Sequence, residues 1–519
     1  MKCAIALLCA ILLAPLALVA MPPLLDYPNH LARATVLAFG SSDPILSRIY
    51  AAHWTIIPNL GTDLVLPPLM HILPVHLAGR IVVGCAILLP VIGTLAYSRA
   101  TFDTWSAWPL AAGLVAYNGT VLLGFINFVA AIGIALLLAA SWIAWRDRYP
   151  ALTVTLAGIG TIALFFCHLM GLVFFYVLIA GYELTRLWSR RTHPRALLAR
   201  MAAVMPIIAP PLVLYLISPL ASLADETEFA SVAYKLRQLV FPFANYLLPL
   251  DIGTGCMVCI FLLACAASGR CRVTLGSGLA LLLIAGLYLA TPWAFKGTYF
   301  LDTRFTIMLG FLLFGAVLPV ALPHSARLVA VAAFTLLFGV RMATIGYAWH
   351  QHQHDVSDMR AVIASVQPGA RVFVAGVSPE EAPAYWRDGP LSRMLSNGIR
   401  LDYHLPALLL IEHRAFWPFL FDNPSQQPIE TLQPYRELAD RAGSVADSAE
   451  LAVPRSAMLC GFDYLLLLEA GARPDLQDFG AGRLLLLARS DVAALFRIRQ
   501  SGCSASAQRS LTTAGLPNS

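Results

Sequence analysis

The segment Leu25-Asp26-Tyr27-Pro28-Asn29-His30-Leu31-Ala32-Arg33 places a carboxylate, an imidazole and a guanidinium close together in the chain. Pro28 suits the first turn of a helix, where its missing N–H leaves no bond unmade. At about 3.6 residues per turn, His30 and Arg33 share one face of that helix, and Asp26 stands at its entrance on the same side. A carboxylate so placed can take a proton from a hydroxyl, while the cations hold an anion beside it. The same residues also fit a plainer role, in which Asp26 caps the helix and His30 and Arg33 are solvated.

Further candidates lie elsewhere in the chain. Trp293-Ala294-Phe295-Lys296-Gly297-Thr298-Tyr299-Phe300-Leu301-Asp302-Thr303-Arg304-Phe305 carries Lys296, Asp302 and Arg304 among aromatics of the kind that sit at a membrane interface. Its plainer role is an interfacial anchor in which Asp302 pairs with Arg304. Tyr234-Lys235-Leu236-Arg237 offers a second pair of cations, Lys235 and Arg237. His168, between Phe166 and Met170 at the end of an apolar run, is either a donor to a substrate hydroxyl or a satisfied core histidine. Arg80 lies inside an apolar run, where a charge is costly unless it meets a wet cavity. With His71 and His76 nearby, Arg80 is expected to face an outer cavity, unless that run becomes helical later than drawn. Asn118 and Asn127 flank a tight turn and are expected to bond between helices. His350, His352 and His354 precede Asp355, but alternate residues of a helix point apart, which disfavours a metal site.

The elements that must position these residues are apolar. Of 519 residues 59% are hydrophobic and 12% charged, against about 25% charged in soluble domains. Apolar runs near 3–20, 74–97, 107–123, 126–145, 151–167, 169–185, 201–220, 252–267, 274–291, 306–322 and 327–346 match the roughly 20 residues a helix needs to cross a bilayer. The fold class expected is a polytopic α-helical membrane protein of about eleven transmembrane helices over 1–346, followed by a small extracytoplasmic α/β domain over 347–519. The first run reads as a cleaved signal peptide or an uncleaved first helix. With the N-terminus in the cytoplasm, the inner loops hold Lys2, Arg99, Arg146, Arg148, Arg186, Arg190, Arg191, Arg195, Arg200, Arg270, Arg272 and Arg327. The outer loops hold only Arg33, Arg48, Lys235, Arg237, Lys296 and Arg304, the asymmetry of the positive-inside rule.

Three outer loops, 21–73, 222–251 and 292–305, are too long or too polar to be mere connectors. The first shows helical patterning (Leu31, Ala34, Val36, Leu37), expected to lie along the membrane surface. In the C-terminal domain Arg371 to Val377, Tyr464 to Leu468 and Leu484 to Ala488 are expected strands, and Val356 to Val366 a helix. Of ten cysteines, Cys256 and Cys259 form a CxxC with no partner pair, so packing is the expected role. Cys460 and Cys503 would be free to form a disulfide in an extracytoplasmic domain. The net charge of +6 is scattered in short clusters rather than along one face, which argues against nucleic acid as a partner. No internal repeat is evident.

A long first outer loop opening with an Asp, many helices and an outer α/β domain resemble the GT-C class of membrane glycosyltransferases. That class includes oligosaccharyltransferase catalytic subunits, protein mannosyltransferases and bacterial aminoarabinose transferases. The string Asp26 to Arg33 is also similar to bacterial membrane proteins of this general type. The resemblance covers the membrane part as an architecture and the Asp26 segment as a motif. It implies an uncleaved first helix, a bacterial plasma membrane location and a periplasmic C-terminal domain. It further implies transfer of a sugar from a polyprenyl-phosphate donor to a glycan, lipid or protein acceptor, Asp26 being the base. The substrate would meet His30, Arg33, Arg80, His168, Lys235, Arg237, Lys296, Asp302 and Arg304. Tyr27 and Pro28 follow Asp26 where relatives carry a second acid, so no paired acidic motif supports a divalent cation. A polytopic transporter or lipid flippase is the alternative, but it would need its ionisable residues near the membrane midplane. A scaffold presenting the C-terminal domain would leave the Asp26 cluster without a purpose.

Overall fold

Apolar runs become helices because a backbone out of contact with water must satisfy its own N–H and C=O groups. The computed structural model describes residues 1–189, 194–224, 227–376, 389–446, 459–469, 471 and 483–499. Among them the helices of ten residues or more are α1 Lys2–Leu13, α2 Tyr27–Phe39, α3 Gly61–Met70, α4 Val75–Phe102, α5 Ile126–Trp145, α6 Pro150–Cys167, α7 Leu169–Ser189, α8 Pro194–Ile217, α9 Leu248–Ala267, α10 Leu275–Ala290, α11 Thr303–Gly315, α12 His324–Ile363 and α13 Tyr435–Ala446. Six helices, α4, α5, α6, α7, α9 and α12, are long and apolar enough to cross a membrane, and shorter apolar helices lie at Lys2–Ala17, Val204–Ile217, α10 and α11.

The helix expected over 107–123 is not formed. Its place is taken by a 3-10 helix, Trp108–Val115, and a single turn, Gly119–Leu122. Asn118 accounts for the break: its side chain accepts from Thr120 N at 2.9 Å and Val121 N at 3.2 Å and donates to Val115 O at 2.9 Å. Local capping thus replaces the interhelical bond expected of Asn118. The interrupted backbone is buried from Ala112 to Gly124, the condition under which irregular chain is tolerated among apolar helices. Its neighbours α4 and α5 pack closely because Gly133 lies against the backbone of Leu89 and Pro90 with no room for a side chain.

The segment 21–73, expected as an outer loop, contains a helix that is covered by protein rather than exposed. Every residue of α2 from Tyr27 to Val36 is buried, because its polar side chains find partners in α3 and in the C-terminal domain. Strand β1 (Tyr50–Ala52) of this loop pairs antiparallel with β3 (Ile429–Thr431), Ala51 facing Glu430. The C-terminal sheet has the order β2-β4-β6-β5, with β2 Val372–Ala375, β4 Tyr464–Leu468, β5 Leu484–Arg489 and β6 Ala493–Ile498. Strands β2 and β4 are parallel, and the other neighbours are antiparallel. The expected strands at 464–468 and 484–488 are met to within one residue at each end, and the first begins one residue late at Val372, its expected end Val377 lying outside the described residues. The helix expected over 356–366 is instead the end of α12, which continues through the boundary drawn at 346 without a break.

Arg341, inside α12, is buried and donates to Asp251 Oδ1 at 3.0 Å and Phe243 O at 2.7 Å, joining α12 to the start of α9. Cys460 is disulfide-bonded; Cys503, like Arg190 and Arg191, lies outside the described residues. Cys256 and Cys259 are free and exposed.

Where α4, α12 and the short helix Leu408–His413 meet, Glu412 accepts from Arg360 and stands 2.8 Å from His76 Nε2. Burial alone would raise the Glu412 carboxyl, but the bonds from His76 and Arg360 outweigh it and hold the group at about 2. A carboxyl lowered by folding stabilises the protein above its ordinary value near 4.5, and the contribution is lost as pH falls toward 2. The difference in melting temperature between the native chain and Glu412→Gln, measured in detergent, is therefore expected to be greatest above pH 4.5. It should shrink steadily in more acidic buffer; a difference independent of pH would show that the carboxylate contributes nothing.

Candidate functional site

Asp26 occupies the N-cap position of α2, yet its side chain makes no capping bond. What fixes it is backbone: Leu25 N and Asp26 N donate to Leu122 O at 2.9 Å and Leu123 O at 3.1 Å. Those acceptors lie on the turn that leads into α5, and at its corner Gly124 has φ +81°. A Cβ on Gly124 would stand 2.6 Å from Asp26 N and 2.8 Å from Tyr27 N, so only glycine lets the two segments meet. The carboxylate, 18% exposed, is left available.

Farther along α2 the polar side chains are consumed. Arg33 is fully buried and forms a fork on Asp63 of α3, Nε to Oδ1 at 2.6 Å and Nη2 to Oδ2 at 2.8 Å. Its Nη2 also donates to His30 Nδ1 at 3.1 Å. Burial, followed by the charges of Arg33 and His404, pushes the His30 imidazole well below its ordinary range. Neither residue is solvated, and Arg33 faces Asp63 rather than converging with Asp26. Asn29 donates to Phe419 O at 2.7 Å and accepts from Phe421 N at 2.8 Å. A buried amide thereby ties α2 to the C-terminal domain.

That domain delivers His404, whose Nδ1 lies 3.1 Å from Leu25 O and 3.4 Å from Asp26 Oδ1. A carbonyl only accepts, so Nδ1 carries the proton. Trp417 and Phe421 wall the ring at centroid distances of 6.0 and 5.2 Å. Sequence reasoning missed both Asn29 and His404. The aromatic run Phe416-Trp417-Pro418-Phe419 in the C-terminal domain was the one available signal.

Beside this group lies a cavity of about 310 Å³, lined by His168, Lys296, Arg304, Asn59 and Gln426 together with apolar residues such as Met170 and Leu301. Asp26 is not among the residues that line it. Arg304, at the start of α11, is buried; its guanidinium lies over Phe125 and Phe128 at 5.1 and 5.7 Å from the ring centroids. Its Nε and Nη1 have no hydrogen-bond partner. The charge of Asp26 reaches it. His168 caps α6 in an extended conformation, φ −171°, and its Nδ1 accepts from Met170 N at 3.1 Å. An imidazole accepting at Nδ1 carries its proton on Nε2, and His168 therefore presents a donor. Lys296, at φ +49°, donates to Ala221 O at 2.9 Å. Asn127 donates to Asn59 O at 2.8 Å and accepts from Thr62 N at 2.7 Å, so it bonds to the first loop and fixes one wall.

The other expected residues have different duties. Asp302 does not pair with Arg304: its Oδ1 caps α11 at Thr303 N, 2.7 Å, and its Oδ2 lies 3.1 Å from Lys235 Nζ. Lys235 also donates to Tyr288 O and Thr291 O, each at 2.9 Å, so its ammonium is committed. Arg237 is exposed. Arg80 does not line this cavity but a separate one of about 350 Å³ between the first helical segment and α4, where it donates to Leu16 O and Val19 O at 3.3 Å. His71 packs on Phe39 at 5.2 Å. The rings of His350 and His354 meet at 5.3 Å, while His352 is buried apart from them. Among the described residues no group of three or more His, Cys, Asp or Glu side chains is placed to hold a metal ion.

Gly124→Ala is expected to lower the stability of the purified chain by about 1–3 kcal/mol, the usual cost of forcing atoms into filled space. Gly253→Ala, in α9 with nothing within 4 Å, should leave it unchanged or raise it slightly. Thermal denaturation of the two variants in detergent checks the contrast; equal melting temperatures would mean the turn at Gly124 yields freely.

Comparison of the chain with protein-family models, with curated proteins and with solved structures finds no match.

Proposed function

We propose that the chain transfers a sugar from a polyprenyl-phosphate-linked donor to an envelope acceptor at the extracytoplasmic face of a bacterial plasma membrane. The observation that carries this is the buried Arg304 guanidinium, with two nitrogens unpartnered, on the wall of a cavity that also holds Lys296 and His168. A buried cation without a carboxylate against it is costly to hold. A phosphate oxygen would repay that cost, because guanidinium N–H groups and anionic oxygens form short, charge-assisted bonds.

In this mechanism the acceptor hydroxyl gives its proton to Asp26 as its oxygen attacks the anomeric carbon. The bond from that carbon to the phosphate oxygen breaks on the opposite side, and the lipid phosphate leaves with the electron pair. The product therefore has inverted configuration. Arg304, Lys296 and the Nε2–H of His168 would receive the charge that develops on the leaving group. A carboxylate that is neither capping its helix nor locked in a fork, as Arg33 locks Asp63, suits the base. The apolar helices and the asymmetry of basic residues support placing this group at the outer surface, with the C-terminal domain in the periplasm.

Asp26→Asn is expected to abolish product while expression and melting temperature hold, a loss of about 10² to 10⁴ in rate for a missing base. Mass analysis of envelope glycolipids from cells with the native chain, with the variant and without the protein reads the outcome. Normal product from Asp26→Asn would remove Asp26 from the mechanism, and unchanged glycolipids in the absence of the protein, with altered solute uptake, would favour a transporter. Arg304→Ala should impair use of the donor lipid by about 10²-fold or more. Lys235→Ala should lower the melting temperature and leave donor use nearly intact, since Lys235 serves Asp302 and two carbonyls. Equal, slight effects on donor use would place the phosphate elsewhere.

A further inference from the structure

The geometry points to His404 as a positioning residue for Asp26, contributed by the C-terminal domain, so that this domain completes the site. The inference rests on the reading of Asp26 as the base. Asp26 lacks the capping bond that ordinarily holds an N-cap carboxylate, and among the described residues no basic residue forks onto it. The His404 imidazole stands 3.4 Å from its Oδ1. His404 is itself held: Leu25 O fixes the direction of its Nδ1–H, and Tyr403, Trp417 and Phe421 enclose its ring.

The enclosure is anchored to the helix that Asp26 begins. Asn29, three residues on, holds Phe419 and Phe421 through both ends of its amide. The first loop and the C-terminal domain also share the β1–β3 pairing. Asp26 and His404 are thus fixed relative to each other from both sides. With Oδ1 directed toward His404, Oδ2 remains for the acceptor hydroxyl. His404 acts through Asp26 and does not itself need to touch the substrate.

The test compares three substitutions in the full-length chain. His404→Asn sets an amide N–H where Nδ1 stood, His404→Gln sets one where Nε2 stood, and His404→Phe keeps the ring packing without a donor. The probes are polyprenyl-phosphate hexoses labelled in the sugar, with envelope membranes from cells lacking the protein as acceptor. Misplacing a reacting group by about 1 Å costs about 10²-fold. Accordingly kcat should fall about 10²-fold in the Phe and Gln variants with the KM for donor nearly unchanged, while Asn retains activity to within about 10-fold. In an Asp26→Asn background, His404→Phe should cause no further loss.

Asn and Gln variants that keep or lose activity alike would overturn the assignment and leave His404 as a brace, whether or not the Phe variant folds. So would a rise in KM without a fall in kcat. If Asp26→Asn keeps its activity, or the native chain transfers sugar from none of the probes, the reading of the base fails and this inference with it. Inactive Asp26→Asn beside fully active His404→Gln and His404→Phe would defeat only the role given to His404.

Discussion

Helix α2 is buried from Tyr27 to Val36, so most of its polar side chains must find partners elsewhere in the chain, although among the described residues Tyr27 Oη and Arg33 Nη1 have none. Burying an amide or a hydroxyl unbonded costs roughly 1–3 kcal/mol, and an unpaired charge costs more. Each polar side chain from Asn29 to Arg33 therefore dictates where another part of the chain must lie. Asn29 calls for the backbone at Phe419 and Phe421, Arg33 for Asp63, and His30 for Arg33. The first loop, α3 and the C-terminal domain are drawn together by these requirements. Asp26, at the edge of the buried stretch, is the carboxylate of this group that is not consumed by them.

The charges of the site divide into two kinds. The Arg33–Asp63 fork and the Arg341–Asp251 pair are buried ion pairs, and removing one member of such a pair typically costs about 3–5 kcal/mol. They are scaffolding. Arg304 is different, because its nearest neighbours are the faces of Phe125 and Phe128, which attract a cation but offer no acceptor for its N–H groups. Lys235 and Asp302 show why proximity in sequence is a poor guide here. Asp302 stands two residues before Arg304, but helix capping and the ammonium of Lys235 claim it, and Arg304 is left facing the cavity.

What could be read from the residues follows this division. Apolar periodicity and run length located the long helices, because burying apolar side chains and satisfying the backbone are local requirements. Strand β4 was legible in Tyr464 to Leu468 for the same reason. The break at Asn118 was not, since a capping side chain in an apolar run competes with the helix only where neighbours bury the interruption. The burial of α2 was equally illegible: its amphipathic pattern states that one face needs apolar cover, but not that the polar face will find the C-terminal domain. Of the site residues, His168, Lys296 and Arg304 line one cavity, Asp26 stands outside it and reaches it only through its charge on Arg304, and Arg33, Arg80 and Lys235 serve the scaffold. Arg341 carried the warning that any arginine in an apolar run must find a partner. His404, a lone histidine far along the chain, had only the nearby aromatic run to point to it.

The position of the C-terminal domain follows from rigid connections rather than from a tether. Helix α12 runs unbroken from the apolar region into the domain, so no hinge separates the two. Near its end Arg360 meets Glu412, and Asp355 forks onto Arg393 at 2.8 and 3.1 Å. On the far side, β3 adds to β1 and Asn29 closes the contact. Three separate attachments, the continuous α12, the β1–β3 pairing and the Asn29 amide, over-determine where His404 stands. A domain held only through a flexible linker would bring His404 near Asp26 at some moments and not at others. Fixation of this extent holds His404 against Asp26 at all times, which an appended domain would not do.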